Sequence, residues 1–399
     1  MPDVVIGLER LDADPDVARL LEGRDLGLLC NPVSVDRALR HAVDQLAARE
    51  GSRLVRLFGP EHGVRGAAQD MVAVRHGQDP ETGLPVVSLY GPDEASLRPK
   101  ASDLQGIDVL VCDLQDVGSR YYTYVWTVVL CLEVCSELGI PVVVCDRPNP
   151  LGGLTVEGGD IEPGFESFVG LHSVPNRHGL TLGELVRLAA AERGIPGSLE
   201  VVPMTGWSRR MDFDATDRPW VLPSPNMPTL DTAYVYPGMC LVEATTLSEG
   251  RGTTRPFELV GAPYIEPPRL AAALRERGLP GVAFRPTFFR PQFQKHAGRD
   301  CGGVQLHVTD RRAFEPYRTG VELLATVRDL YPGEFAWREQ PYEFVSEVPA
   351  IDLLTGSPAV RECVDGGGDP AELRATWRRS AEAFHIRRTP LLLYDEGGG

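Results

Sequence analysis

Between about residue 25 and residue 204, short apolar runs rich in β-branched residues alternate with helical patterns, and this alternation restricts the fold more than any other feature. The candidate strands are Leu26 to Cys30, Leu54 to Phe58, Val86 to Tyr90, Val109 to Cys112, Val142 to Cys145 and Leu199 to Val202. Helical patterns fall around Asp36 to Arg49, Tyr121 to Leu138 and Thr181 to Arg193, the last opened by Thr181 with Glu184 three residues on, a capping-box pattern. Strands that alternate with helices pair in parallel, because a parallel neighbour is reached only by a crossover, and the crossover helices cover the sheet. The expected fold class is therefore α/β, with a Rossmann-like doubly wound parallel sheet.

After about Pro203 the texture changes to a Trp- and Pro-rich stretch, from Gly206-Trp-Ser-Arg-Arg to Leu222-Pro-Ser-Pro-Asn-Met-Pro228, too irregular for a continuing helix or strand. Helical patterns then fall at Pro268 to Arg277, Phe314 to Tyr331 and Pro370 to His385, with strand patterns at Phe284 to Phe289 and Val304 to Val308. This series fits a smaller α/β lobe, giving an expected division into residues 1–205 and 206–399. At 399 residues and 43% hydrophobic, the chain can bury two cores without disulfides or metals.

Charge and composition exclude several function classes. The 40 basic and 56 acidic residues leave a net charge of −16, which opposes nonspecific binding to phosphate backbones and anionic membranes. No run approaches the roughly 18 apolar residues of a membrane span. The first ten residues carry neither a basic region nor a long apolar one, so the expected compartment is the cytoplasm, or outside it if a leader was removed. The eight cysteines include no Cys-x-x-Cys pair, and Cys30, Cys112 and Cys145 lie in apolar strand patterns, where a thiol packs as a small hydrophobe. Cys131 and Cys135 share a helix face without a nearby histidine, so core packing is the stronger reading there too.

In an open parallel sheet, ligands bind beyond the carboxyl ends of the strands. The polar residues there form a series: Asn31-Pro32, Gly59-Pro60-Glu61-His62-Gly63, Asp113-Leu-Gln115-Asp116-Val-Gly118 and Asp146-Arg147-Pro148-Asn149-Pro150. Asp and Asn also cap helices and make turns after any strand, so each alone is weak evidence. Glu61 is different, since glutamate is a poor cap and Gly-Pro-Glu-His-Gly is a constrained loop. The rim offers no G-x-G-x-x-G, Walker A, G-x-S-x-G or H-E-x-x-H pattern, which leaves carboxylate chemistry without cofactor or metal. A second polar cluster, from Tyr236 through Glu243, Ser248-Glu249-Gly250-Arg251-Gly252-Thr253 and Arg255 to Glu258, reads as a binding loop or a solvated hairpin tip.

Five motifs occur in order over nearly the whole chain: Phe58-Gly-Pro-Glu-His-Gly-Val-Arg-Gly66, Asp113-Leu-Gln-Asp-Val-Gly-Ser-Arg-Tyr-Tyr-Thr-Tyr124, Asp146-Arg-Pro-Asn-Pro-Leu-Gly-Gly153, Pro223-Ser-Pro-Asn-Met-Pro-Thr229 and Ser248-Glu-Gly-Arg-Gly-Thr-Thr-Arg-Pro-Phe-Glu258. Together they resemble the exo-β-N-acetylmuramidases, peptidoglycan-recycling hydrolases long classed as a domain of unknown function. The resemblance implies a Rossmann-like lobe, a smaller second lobe and a site in the cleft between them. It also implies release of N-acetylmuramic acid (MurNAc) from the non-reducing end of fragments such as MurNAc-GlcNAc. The family often reads Glu-Gly-Thr-Asn where this chain has Glu243-Ala-Thr-Thr246.

By that match Glu61 is the leading catalytic candidate. His62 would orient it or share its proton, and Asp116, Glu243, Glu249 or the substrate's own acetamido oxygen would take the opposite role. The lactyl carboxylate of MurNAc calls for a cation, for which Arg147 and Arg251 are the first candidates, with Arg65, Arg120 and Thr253 as further motif residues. Asn31, Asn149, Asn226 and Asp146 would serve hydroxyls and the acetamide, and Tyr124 or Trp126 a stacking face, although aromatics in a helical run are more often core. The competing readings are a non-catalytic muropeptide receptor and a hydrolase of another β-linked amino sugar.

Overall fold

The structure is a computed structural model that describes residues 3–66, 68–69 and 71–397. Its first lobe is a seven-stranded sheet of β1 (Asp25–Cys30), β2 (Arg53–Gly59), β3 (Gly77–Gln78), β4 (Pro85–Ser88), β5 (Val109–Asp113), β6 (Val142–Cys145) and β7 (Leu199–Val202). The spatial order is β3-β4-β2-β1-β5-β6-β7, with only the short β3 antiparallel to its neighbour. The chain winds outward from β1 through β2 to β4, then returns to β5 on the other side and winds outward again. The carboxyl ends of β1 and β5 therefore flank the point where the winding reverses, where doubly wound sheets open a crevice.

Local chemistry explains where elements start and stop. The expected helix after β1 is confined to Ala42–Ala47. Ahead of it, Asp36 accepts from the N–H groups of Ala38 and Arg40, and the His41 ring accepts from Val43 N–H, so side chains hold the backbone in turns. The helix Tyr124–Leu138 is buried from Tyr124 to Leu132 and starts three residues later than its pattern, because Tyr122 N–H closes a turn on Ser119 O. The helix Leu182–Arg193 begins at the expected capping box, Thr181 with Glu184, and ends at Gly194.

The second lobe is an antiparallel sheet of β8 (Leu259–Ala262), β9 (Val282–Phe289) and β10 (Cys301–Val308) in the order β8-β10-β9, packed with helices Pro267–Glu276 and Pro316–Leu330. A helix at Leu230–Met239, unforeseen because Pro237 lies inside it, crosses Pro316–Leu330 backbone to backbone. A Cβ on Gly238 would lie 1.8 Å from Pro316 O, so only glycine permits that approach.

The chain after residue 205 does not all stay in this second lobe. Arg209 pairs with Glu184 at 2.7 Å and Arg218 with Glu9 at 2.9 Å. The last long helix, Arg374–Arg388, also returns to the first lobe, where Arg388 donates to the carbonyls of His178 and Gly179. Among the described residues no helix is long and apolar enough to cross a membrane.

Candidate active site

Beyond β2 the chain turns at once. Gly63 N–H donates to Pro60 O at 2.9 Å, leaving Glu61 and His62 at the two central positions of the turn. His62 has φ +71°, a left-handed conformation normally left to glycine or asparagine. Its ring is tied down, with Nδ1 2.9 Å from Ala68 O. Gly59 admits the fold-back, since a Cβ there would meet Val64 N at 2.9 Å. Glu61 is thus carried on a short strained loop that leaves it little freedom. It is buried, Oε1 accepting from Met71 N–H at 3.0 Å and Oε2 from the Thr123 hydroxyl at 3.3 Å. Both donors are neutral, and among the described residues Glu61 forms no ion pair.

Glu61 faces a narrow cavity of about 40 Å³ where residues of both lobes meet. The first lobe contributes Glu61, His62, Met71 and the run Tyr121 to Tyr124, the connecting stretch Ser224, Asn226 and Met227, and the second lobe Tyr236, Glu243, Arg251, Phe257, Tyr342 and Glu343. The aromatics pack edge to face, Tyr122 against Tyr124 at 4.9 Å and Tyr236 against Phe257 at 4.9 Å, giving the walls a rigid apolar surface. Burial holds the hydroxyls of Tyr121, Tyr122 and Tyr236 well above their ordinary pKa, so they act as neutral hydrogen-bonding groups.

On the second-lobe wall, Arg251 Nη2 lies 2.6 Å from Glu243 Oε1, and its guanidinium sits 5.0 Å over the Phe257 ring. The Tyr342 hydroxyl donates to the other Glu243 oxygen at 2.7 Å. Behind them Glu249 pairs with Lys295 at 2.9 Å and with Arg251 at 3.5 Å. Burial pulls the Glu249 carboxyl up, but the two cations outweigh it and hold it below its ordinary range. Glu249 therefore braces Arg251 from outside the cavity.

Of the residues singled out in the sequence, Glu61, His62, Tyr124, Asn226, Glu243 and Arg251 meet at this cavity. The others hold the scaffold. Asp116 turns inward to Gly118 N–H at 2.6 Å and stands 3.4 Å from His178 Nε2. Asp146 accepts from the Thr181 hydroxyl and Gly183 N–H at the start of a helix, and from the Tyr394 hydroxyl. Arg147 is spent on a buried fork with Asp113 at 2.6 and 2.7 Å, away from the cavity. Arg120, fully buried, donates to the carbonyls of Gly159, Val174 and Leu354. Arg65 pairs with Asp79 and Glu81, Asn149 bridges Leu151 N–H and Leu180 O, Asn31 accepts from Val33 N–H, and Thr253 donates to Gly250 O. Trp126 is core.

Sequence reasoning passed over Thr123, Ser224, Tyr236, Tyr342 and Glu343 as site residues. Thr123 and Ser224 lay inside quoted motifs. Tyr342 and Glu343 follow no strand and gave no signal of that kind. Glu343 accepts from the Tyr90 hydroxyl at 3.0 Å, and with Phe344 it forms a left-handed pair at φ +44° and +69°, a local strain of the sort that collects at sites.

A doubly wound lobe and an antiparallel one, closing on a cavity whose described lining holds carboxylates, tyrosines and an arginine, make a two-lobed α/β protein with a polar site between its lobes. The family described as "Exo-beta-N-acetylmuramidase NamZ, N-terminal" matches residues 26–231, and its C-terminal counterpart matches residues 234–394. The chain belongs to this exo-β-N-acetylmuramidase family. It is 44% identical over 393 residues, 98% of this chain and 92% of the relative, to the peptidoglycan beta-N-acetylmuramidase NamZ of Bacillus subtilis. Crystal structures of two DUF1343 family proteins from Bacteroides fragilis share the architecture. One has a TM-score of 0.89 at 33% identity and the other 0.76 at 28%, each covering 99% of this chain and 100% of its own.

Proposed function

We propose that this enzyme releases MurNAc from the non-reducing end of peptidoglycan fragments such as MurNAc-GlcNAc, with Glu61 protonating the departing glycosidic oxygen. The observation that carries this reading is the setting of Glu61: a buried carboxyl on a rigid loop, held by neutral donors and facing the cavity where the two lobes meet. A general acid must be held at a fixed position beside the departing oxygen, and the tight turn with the two hydrogen bonds to Glu61 holds it so.

Both oxygens of Glu243 are already engaged, by Arg251 and by the Tyr342 hydroxyl, which leaves it poorly placed to attack carbon. The 2-acetamido oxygen of the substrate is then the group that attacks C1, one of the recognised departures from the two-carboxylate scheme. Among the described lining residues Arg251 is the cation for the lactyl carboxylate, which would share it with Glu243, and the tyrosine walls suit the apolar face of a pyranose.

Glu61→Gln is expected to lower kcat on a chromogenic β-MurNAc glycoside by about 10²- to 10⁴-fold, the usual range for loss of a general acid. Activity near wild type would defeat the assignment. Attack by the acetamido oxygen requires the β-anomer as the first-formed sugar by NMR, and the α-anomer would exclude it.

A further inference from the structure

Resting on that reading, we infer that an open hollow beside the cavity mouth is the subsite for the leaving sugar, and that it takes a neutral amino sugar such as N-acetylglucosamine. An exo-acting site holds one terminal sugar in its cavity, so the next residue of the substrate must lie just outside. A hollow of about 550 Å³ on the second lobe, lined among others by Thr246, Lys295, His296, Trp337, Arg338 and Gln340, adjoins the cavity through Arg338.

Two contacts join it to the cavity. The Arg338 guanidinium lies 5.4 Å over the ring of Tyr342, and its Nη2 is 3.8 Å from Met71 Sδ. Tyr342 and Met71 are both cavity-lining residues. The hollow's back wall is continuous with the catalytic wall as well. Lys295 Nζ donates to the carbonyls of Val242 and Glu243 at 3.0 and 3.2 Å, and Thr245 and Thr246 follow Glu243 in the chain.

The hollow is a built surface. The segment carrying Trp337 and Arg338 is zipped to the strand-like run after Glu243, Thr246 N–H donating to Ala336 O at 2.9 Å and Arg338 N–H to Ala244 O at 2.8 Å. The Trp337 indole is fixed by an edge contact with Phe335 at 5.0 Å and by Nε1 donating to Asp365 at 2.8 Å. His296, at φ +58°, is pinned with Nε2 2.8 Å from Thr246 O. A preset aromatic edged by amide, hydroxyl and guanidinium donors is the chemistry that grips a hexosamine, the ring face on the indole and the hydroxyls on the polar rim. Lys295 pairs with Glu249, and the lining sets Glu339 beside Arg338, so the hollow carries charges of both signs and fits a neutral sugar rather than a polyanion.

The test is the ratio of kcat/KM on MurNAc-GlcNAc to kcat/KM on an aryl β-MurNAc glycoside, which offers no second sugar. Trp337→Ala is expected to lower this ratio about tenfold and Gln340→Ala about threefold, the scale of one stacking face and one hydrogen bond. Thermal melts establish that each variant is folded, and Gln340 is exposed, so its substitution decides the matter if Trp337→Ala does not fold. A ratio within twofold of wild type in the folded variants overturns the subsite while leaving the function standing. A wild-type protein inert on both substrates overturns the functional reading, and the subsite with it.

Discussion

Asp146 shows how a strand-end carboxylate that resembles a ligand-binding group works instead as a clamp, and its titration makes that testable. It is fully buried, with Oδ2 accepting from the Thr181 and Tyr394 hydroxyls at 2.7 and 2.5 Å and Oδ1 from Gly183 N–H at 2.9 Å. Burial pushes its carboxyl from an ordinary 3.8 up to about 6, against the pull of those three donors. The folded chain therefore binds this proton more tightly than the unfolded chain does. Its contribution to stability is present in full below pH 3.8 and is lost as pH rises through about 6. A rise of that size corresponds to about 3 kcal/mol, at 1.36 kcal/mol for each tenfold change in proton affinity. Asp146→Asn abolishes the titration and keeps the shape. Urea unfolding followed by tryptophan fluorescence between pH 4 and 7.5 should show the wild type losing roughly 2.4 kcal/mol relative to the variant over that interval. Parallel stability curves would refute the argument. KM on the aryl glycoside should barely move, and a large rise in KM with unchanged stability would instead return Asp146 to the sugar.

Two further outcomes follow from the arginines. Arg251→Lys keeps a cation but removes the planar fork, and should reduce discrimination between aryl β-MurNAc and aryl β-GlcNAc glycosides by about ten- to hundredfold, the value of a charge-assisted hydrogen bond. Equal losses on both sugars would make Arg251 a brace for Glu243 alone. Arg120→Met removes three hydrogen bonds to the carbonyls of Gly159, Val174 and Leu354, the last still held by Asn176, and should cost about 3 kcal/mol in denaturant unfolding. A change below about 0.5 kcal/mol would mean that those carbonyls find other donors.

The elements most legible in the sequence are those whose signal is local. The apolar runs of β1, β5 and β6 lie on strands buried on both faces, those of β2 and β7 are buried at their carboxyl ends, and the Thr181-Glu184 capping box opens its helix as written. Short or irregular elements were less visible. β8 has only four residues with Gly261 among them, and the helix Leu230–Met239 carries a proline. Each exists because a neighbour covers it rather than because its own pattern demands it.

The site divides in the same way. Glu61 on its Gly-Pro-Glu-His-Gly loop was determined by the sequence alone, since a glutamate between a strand and a forced turn has no helix to cap and no room to swing. For the other strand-end residues only the tertiary structure decided. Asp116, Asp146, Asn149 and Arg147 satisfy buried partners of the first lobe, and nothing in a linear sequence separates a carboxylate that accepts from its own backbone from one left facing a cavity. Glu243, Arg251, Tyr342 and Glu343 reach Glu61 from far along the chain, because the packing of one lobe against the other brings them there. Local physics therefore fixes where Glu61 stands, and the closing of the two lobes decides what faces it.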